Sequence, residues 1–279
     1  MADSTPVNVA ESGVEARVWF VRQRNVLVAR AELGDLYVDY YLHLAQQKIH
    51  LAPEHDSLFK RALAAFLLHC ASRPWNEHIA WTINFQEPRV NLFLVGDNES
   101  GAITGRVFAE NVKEMPENLF YADVVRGGGP KRRSAVGFAG DDPLAAAEKF
   151  YSQSEQRLAR YFRMGEEDFA LVCEHPDCDL PWLRQLTAPQ VQVLESAESV
   201  ALMERRIYRW HCGCNQQRMM EVLAPPMRED PDALFGTEPK LEIRCPRCGA
   251  RHVITREAME GYVAGDMGTA PPSGPAGAA

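Results

Sequence analysis

Four cysteines near the C-terminus constrain this chain more than any other feature: Cys212-Gly213-Cys214 and, thirty residues further on, Cys245-Pro246-Arg247-Cys248. Four thiolates in two close pairs suit a tetrahedral Zn²⁺, which favours a closed all-sulfur shell where its role is structural. Gly249 follows the second pair, where the backbone has to turn tightly around a metal. The first pair is unusual. Cys-x-Cys is rarer than Cys-x-x-Cys in plain zinc ribbons, and on oxidation it would close a very small, strained and easily reduced ring. The same four residues therefore suit either a metal site, with one Zn²⁺ per chain, or two redox-labile dithiols.

The rest of the chain sets the context. Its 279 residues are 46% hydrophobic, enough for one sizeable domain and a smaller one with real cores. A net charge of −8 argues against nucleic acid as the main partner. The first thirty residues carry no basic-then-apolar leader, and no apolar run is long enough to span a bilayer. These features predict a soluble, cytoplasmic protein with no membrane partner. Seven cysteines in a reducing compartment point to metal or redox chemistry before structural disulfides.

Periodicity predicts an α+β fold. Residues 14–173 read as a mixed sheet-and-helix domain. Val18–Val21 and Val26–Leu33 form two strands about a turn at Arg22–Asn25. Ser57–Ala71 reads as a helix, with Leu58, Ala62, Phe66 and Cys70 on one side. Ile79, Trp81, Ile83 and Phe85 alternate with Ala80, Thr82 and Asn84, as in a half-buried strand. Val90–Val95 is another, and Gly101–Gly105 leads into a third. Asp142-Pro143 opens a capped helix expected to run through Arg163, with Leu144, Ala147, Tyr151, Leu158 and Phe162 as its stripe. Residues 174–210 read as a linker with a docking helix over Ala197–Trp210, its stripe being Val200, Met203, Ile207 and Trp210. Residues 211–262 form the metal module. Residues 1–13 and 263–279 read as tails, the latter rich in Gly, Pro, Ala and Ser.

Other constellations carry less. The module has seven Lys/Arg against eight Asp/Glu, so it is not a basic nucleic-acid ribbon. Arg209, Arg244, Arg247 and Arg251 lie close enough in sequence to offset thiolate charge. Cys173-Glu174-His175-Pro176-Asp177-Cys178 is a weak second metal pattern and reads better as a loop end. Arg126-Gly127-Gly128-Gly129-Pro130-Lys131-Arg132-Arg133 lacks the Lys-Ser/Thr ending of a phosphate loop and reads as a hairpin turn. Hydrolase and metalloprotease motifs do not appear, and the chain is not expected to be an enzyme.

The order of motifs resembles the redox-regulated thirty-three-kilodalton heat-shock chaperones. The two cysteine pairs and their separation match that family's zinc centre. Phe150-Tyr151-Ser152-Gln153-Ser154-Glu155-Gln156 is similar to its Tyr-rich helix ending in Ser-Glu-Gln, and Gly101-Ala102-Ile103-Thr104-Gly105 to its Gly-x-Ile-Arg-Gly turn. Thr104 replaces the usual Arg, His252 the usual Tyr, and the segment before Cys212 is short for the family. The resemblance implies an ATP-independent holdase for unfolding client proteins under oxidative stress. Oxidation would join Cys212 to Cys214 and Cys245 to Cys248 and release zinc. Trp182, Leu183, Val200, Met203 and Ile207 would then become a client-binding surface, and oxidised copies would pair. The alternatives are a zinc-stabilised interaction protein with no redox switch and an enzyme that uses the N-terminal domain.

Overall fold

The computed structural model describes residues 13–265. The expected tails, apart from Gly13 and residues 263–265, lie outside the described residues. Val263 and Ala264 close a helix rather than opening a tail. Contacts divide the chain between Cys212 and Gly213.

The first unit is built on a twisted sheet of ten strands. In chain order its elements are β1 (Val14–Val21), β2 (Val26–Glu32), α1 (Gly34–Gln47), α2 (Pro53–Ala71), β3 (Glu77–Gln86), β4 (Arg89–Asp97), β5 (Ala102–Phe108), β6 (Asn118–Arg126) and β7 (Arg132–Phe138). Then come α3 (Pro143–Phe150), β8 (Ala159–Arg163), β9 (Asp168–Glu174), α4 (Leu180–Gln185), α5 (Ala188–Gln192), α6 (Leu194–Ala197) and β10 (Val200–Trp210). The strand order is β7-β6-β3-β4-β5-β10-β1-β2-β9-β8. β10 pairs with β1 along its length but meets β5 only at Arg209↔Ala102 and Trp210↔Ile103. The sheet is therefore two half-sheets spliced at the end of β10.

Strand alternation sorts the core into two faces. Val14, Ala16 and Val18 of β1 join the main core with α2, while Trp19 and Val21 face the other way. α2 is buried nearly all round, which explains its continuous apolar run from Ala62 to Cys70, broken only by His69. The second core lies beneath Leu183, Leu186, Val191 and Leu194 of the α4–α6 segment, against Val26, Val28, Phe162 and Val172. Three arginines bind that segment to the strands. Arg24 reaches Asp179 at 2.8 Å and Glu198 at 3.1 Å. Arg30 donates to the Gln192 carbonyl, and Arg160 to the carbonyls of Leu183, Arg184 and Leu186. Among the described residues, the second core includes none from β7, β6, β3, β4 or β5.

Two helix expectations are corrected. The helix opened by Asp142, whose carboxylate accepts the Leu144 N–H at 3.2 Å, stops at Phe150. A single π-turn, Tyr151–Glu155, follows, and Gln156 is left-handed with φ 55°. Beyond it Tyr161 joins the main core and Phe162 the second, an alternation that only a strand satisfies. Ala197–Trp210 is not a docking helix but, from Val200, the strand β10. Its register against β1 slips between Val18 and Trp19, so that Met203 is the extra residue of a bulge. A bulge shifts a period-two pattern by one residue, and the shifted pattern at Val200, Met203, Ile207 and Trp210 imitates a helical stripe.

The second unit contains α7 (Gln216–Glu229), α8 (Pro231–Phe235), β11 (Lys240–Arg244), β12 (Arg251–Thr255) and α9 (Arg256–Ala264). Its core is small: Met219, Met220, Ala224, Met227, Phe235, Ile254 and Met259. Among the described residues no helix is long and apolar enough to cross a membrane.

Leu183 is fully buried, so Leu183→Ala should lower unfolding free energy by about 2–5 kcal/mol. Urea titration checks this, and a change within error would contradict the packing. His69 is buried against Trp81 with its Nδ1 2.8 Å from the Tyr151 hydroxyl. Burial, reinforced by Arg73 and Arg157, holds its imidazole well below the usual range. The unfolded chain gains this proton near pH 6.5 and the folded chain does not. The stability is therefore whole above that pH and falls below it. His69→Gln should flatten part of that fall, read by urea titrations between about pH 7.5 and 5.5.

Candidate metal centre

The four cysteines come together because two tight turns aim them at one point. Cys212 lies two residues past β10. Gly213, at φ 63°, turns the chain so that Cys214 faces back toward it. Arg218 holds this turn by donating to the Gly213 carbonyl at 2.7 Å, and the Asn215 side chain caps α7 through the Arg218 N–H at 2.9 Å. The second turn joins β11 to β12. Gly249, at φ 78°, donates its N–H to the Cys245 carbonyl at 2.9 Å, while the Cys245 N–H reaches Ala250 at 2.8 Å. A side chain at Gly249 would be strained in that left-handed backbone, as the sequence suggested.

The four sulfurs lie within 4.8 Å of one another. Cys245 and Cys248 are buried and Cys212 and Cys214 half-buried. Sulfurs sharing one tetrahedral ion at a bond length of about 2.3 Å stand about 3.8 Å apart. Cys214 and Cys248 are 3.6 Å apart, so this donor set fits a single metal ion. Nε2 of His252 stands 3.4 Å from the Cys214 sulfur. An imidazole N–H there donates to a thiolate rather than completing the shell, a supporting role typical of the layer around metal ligands. Of the arginines expected to offset thiolate charge, Arg251 pairs with Glu242 at 3.1 Å.

The other cysteines stand apart. Cys70 and Cys173 are buried in the main core, and burial drives the Cys70 thiol far above its usual range and pushes Cys173 up to about 12. Cys178 packs against the second core on the other side of the sheet, and burial raises it too. Cys173 and Cys178 therefore do not form a second site. Such protonated thiols are poor nucleophiles.

The residues expected to bind clients are scattered in accessibility. Leu183 is fully buried, and Trp182 and Val200 pack at the edge of the second core. Met203 is 62% exposed and Ile207 39%, with Leu202 beside them at 46%. The arginines that clamp α4–α6 were missed by the sequence reading. Their partners lie up to 174 residues away, so no local pattern marks them.

A family model described as Hsp33 protein matches residues 181–255. A "33 kDa chaperonin" of Proteus mirabilis (strain HI4320) is 25% identical over 206 residues, covering 60% of this chain and 70% of its own length. A "33 kDa chaperonin" of Escherichia coli (strain K12 / DH10B) is 23% identical over 200 residues, covering 59% and 68%. The crystal structure of a 33 kDa chaperonin (heat shock protein 33 homolog) from Thermotoga maritima has the same fold. Its TM-score is 0.68 at 14% identity, over 92% of this chain and 99% of that one.

Replacing Cys245 by Ser removes one of two buried donors and should abolish metal binding. Metal content of the purified protein by mass spectrometry reads this directly. Full occupancy in the variant would contradict a four-sulfur site.

Proposed function

We propose that this chain is a member of the Hsp33 family, as the matches to the family model, the 33 kDa chaperonins and their fold support, and that it is a chaperone switched on by oxidation of its four clustered cysteines. The observation that carries the reading is the convergence of Cys212, Cys214, Cys245 and Cys248 within 4.8 Å, the last three of them in a unit whose apolar core is small. Zn²⁺, one per chain, would supply folding free energy on the order of 10–16 kcal/mol at such a site.

The chemistry belongs to the thiolates. Joining Cys212 to Cys214 and Cys245 to Cys248 removes two electrons per pair. Two peroxide molecules accept them, with four protons, and leave as water. A disulfide sulfur no longer carries the charge that binds a cation, so both pairs cease to be ligands. The second unit then keeps only its methionine-rich core, which is too small to hold fifty-odd residues folded.

The strand β10 ends two residues before Cys212 and splices the two half-sheets through only two residue pairs. Loss of order at Cys212 weakens this splice. It also weakens the hold on the neighbouring α4–α6 segment, which is joined to β10 through Ser199. Trp182, Leu183 and Val200 would become accessible and extend the patch already formed by Met203 and Ile207. A large exposed apolar surface binds other unfolding chains, and two copies of it bind each other. The proposed protein is an ATP-independent holdase of the cytoplasm, acting without catalysis and forming dimers on oxidation.

The test is light scattering from a heat-unfolding client, with this protein either reduced and zinc-loaded or treated with peroxide, while zinc release is followed. Suppression by the oxidised, zinc-free form alone is expected. If zinc stays bound and neither form suppresses aggregation, the cysteines are a structural staple and the switch is wrong.

A further inference from the structure

The run Arg126–Arg133 has no part in the redox switch, yet the structure makes it conspicuous. It is the tip of the β6–β7 hairpin, at the edge of the sheet, and every residue in it is exposed. Gly127 and Gly128, at φ 52° and 74°, make the turn, and the Gly127 N–H donates to the Asn76 carbonyl at 3.0 Å. The tip carries Arg126, Lys131, Arg132 and Arg133. Among the described residues the one carboxylate paired with any of them is Asp123, 2.6 Å from Arg133 and 3.5 Å from Lys131. Glu77, opposite Arg126 in the register, is already taken by Arg73 at 2.9 Å. Four cations therefore face one carboxylate on a chain whose net charge is −8.

Aromatic rings flank these cations. Trp75 immediately precedes Asn76, the residue that receives the tip, and is 59% exposed, so it adds little to the core. Arg133 lies 5.7 Å above the ring of Tyr121 on the outer face. Tyr121, Thr82, Phe93 and Arg106 form one cross-strand row on that face, all of them half-buried.

We infer that this corner of the sheet binds single-stranded nucleic acid. The arginines and Lys131 meet the phosphates, while Trp75 and Tyr121 offer flat faces on which unpaired bases stack. The negative net charge excludes a chain that is basic throughout, not a local basic hairpin tip with aromatic side chains nearby. A bare polyphosphate would use the cations and leave the exposed tryptophan without a role. The inference does not depend on the redox switch.

The test uses the full chain, reduced and zinc-loaded, and a fluorescein-labelled oligouridylate of about a dozen nucleotides, followed by anisotropy across a salt series. Saturable binding is expected, with a logarithmic salt slope of about −2 to −3, as three or four phosphate contacts require. The double variant Arg126→Gln, Arg132→Gln should weaken binding about tenfold or more and reduce the slope by about 1.4. Trp75→Ala should weaken it about tenfold at unchanged slope. Both lie on the surface, and unchanged thermal unfolding checks that they fold. Absence of saturable binding at low salt would overturn the inference. So would Trp75→Ala binding as tightly as the parent while inorganic polyphosphate competes fully, since the corner would then be a phosphate patch alone.

Discussion

Four sulfurs within 4.8 Å of one another cannot all be thiolates unless a cation lies among them, because like charges at that distance drive each other to bind protons. This electrostatic constraint governs the C-terminal unit. With a divalent cation the four charges become the strongest link in a unit whose own core consists largely of methionines. Without it they become ordinary thiols, or disulfides, and hold nothing. The two turns that set the cluster, at Gly213 and Gly249, have no other evident use, and His252 and Arg218 support them from outside.

The first unit is built in the opposite way. Its main core is large and aromatic, with Phe66 packed on Trp81, Trp81 on Phe120 and Phe150, and Phe120 stacked on Phe150. It needs no metal. Its weak places are on the margins: the two-residue splice between β5 and β10, and the α4–α6 segment laid over the second core. That segment is held by burial of Leu183, Leu186, Val191 and Leu194 and by the reach of Arg24, Arg30 and Arg160. Exposed ion pairs are weak individually, but Arg160 meets three carbonyls at one helix end, where the backbone has no partners of its own. Chain connectivity thus brings the least secured part of the sheet next to the first cysteine.

Much of this was legible in the sequence where one local rule decides. The hairpin of β1 and β2, the alternation in β3, the burial of α2 and the Asp142 cap each follow from a few neighbouring residues. The cysteine spacing pointed to one four-sulfur cluster for the same reason, since a metal selects residue types at short range, and the structure brings those sulfurs within 4.8 Å of one another. Errors arose where two patterns coincide. The bulge at Met203 disguised a strand as a helix, and the π-turn after Phe150 let an apolar stripe run on into β8. Burial on both faces of β8 and β9 is a property of the assembled sheet. It could not be read from Tyr161 and Phe162 alone.

Hydrogen exchange, read peptide by peptide before and after oxidation with zinc removed, shows whether the four-thiolate site holds the second unit folded while the sheet stands on its own. Peptides covering 216–264 should lose protection almost completely, while those of α2, β3 and β4 keep theirs. If 216–264 stay protected in the oxidised, zinc-free protein, the metal is not what holds that unit.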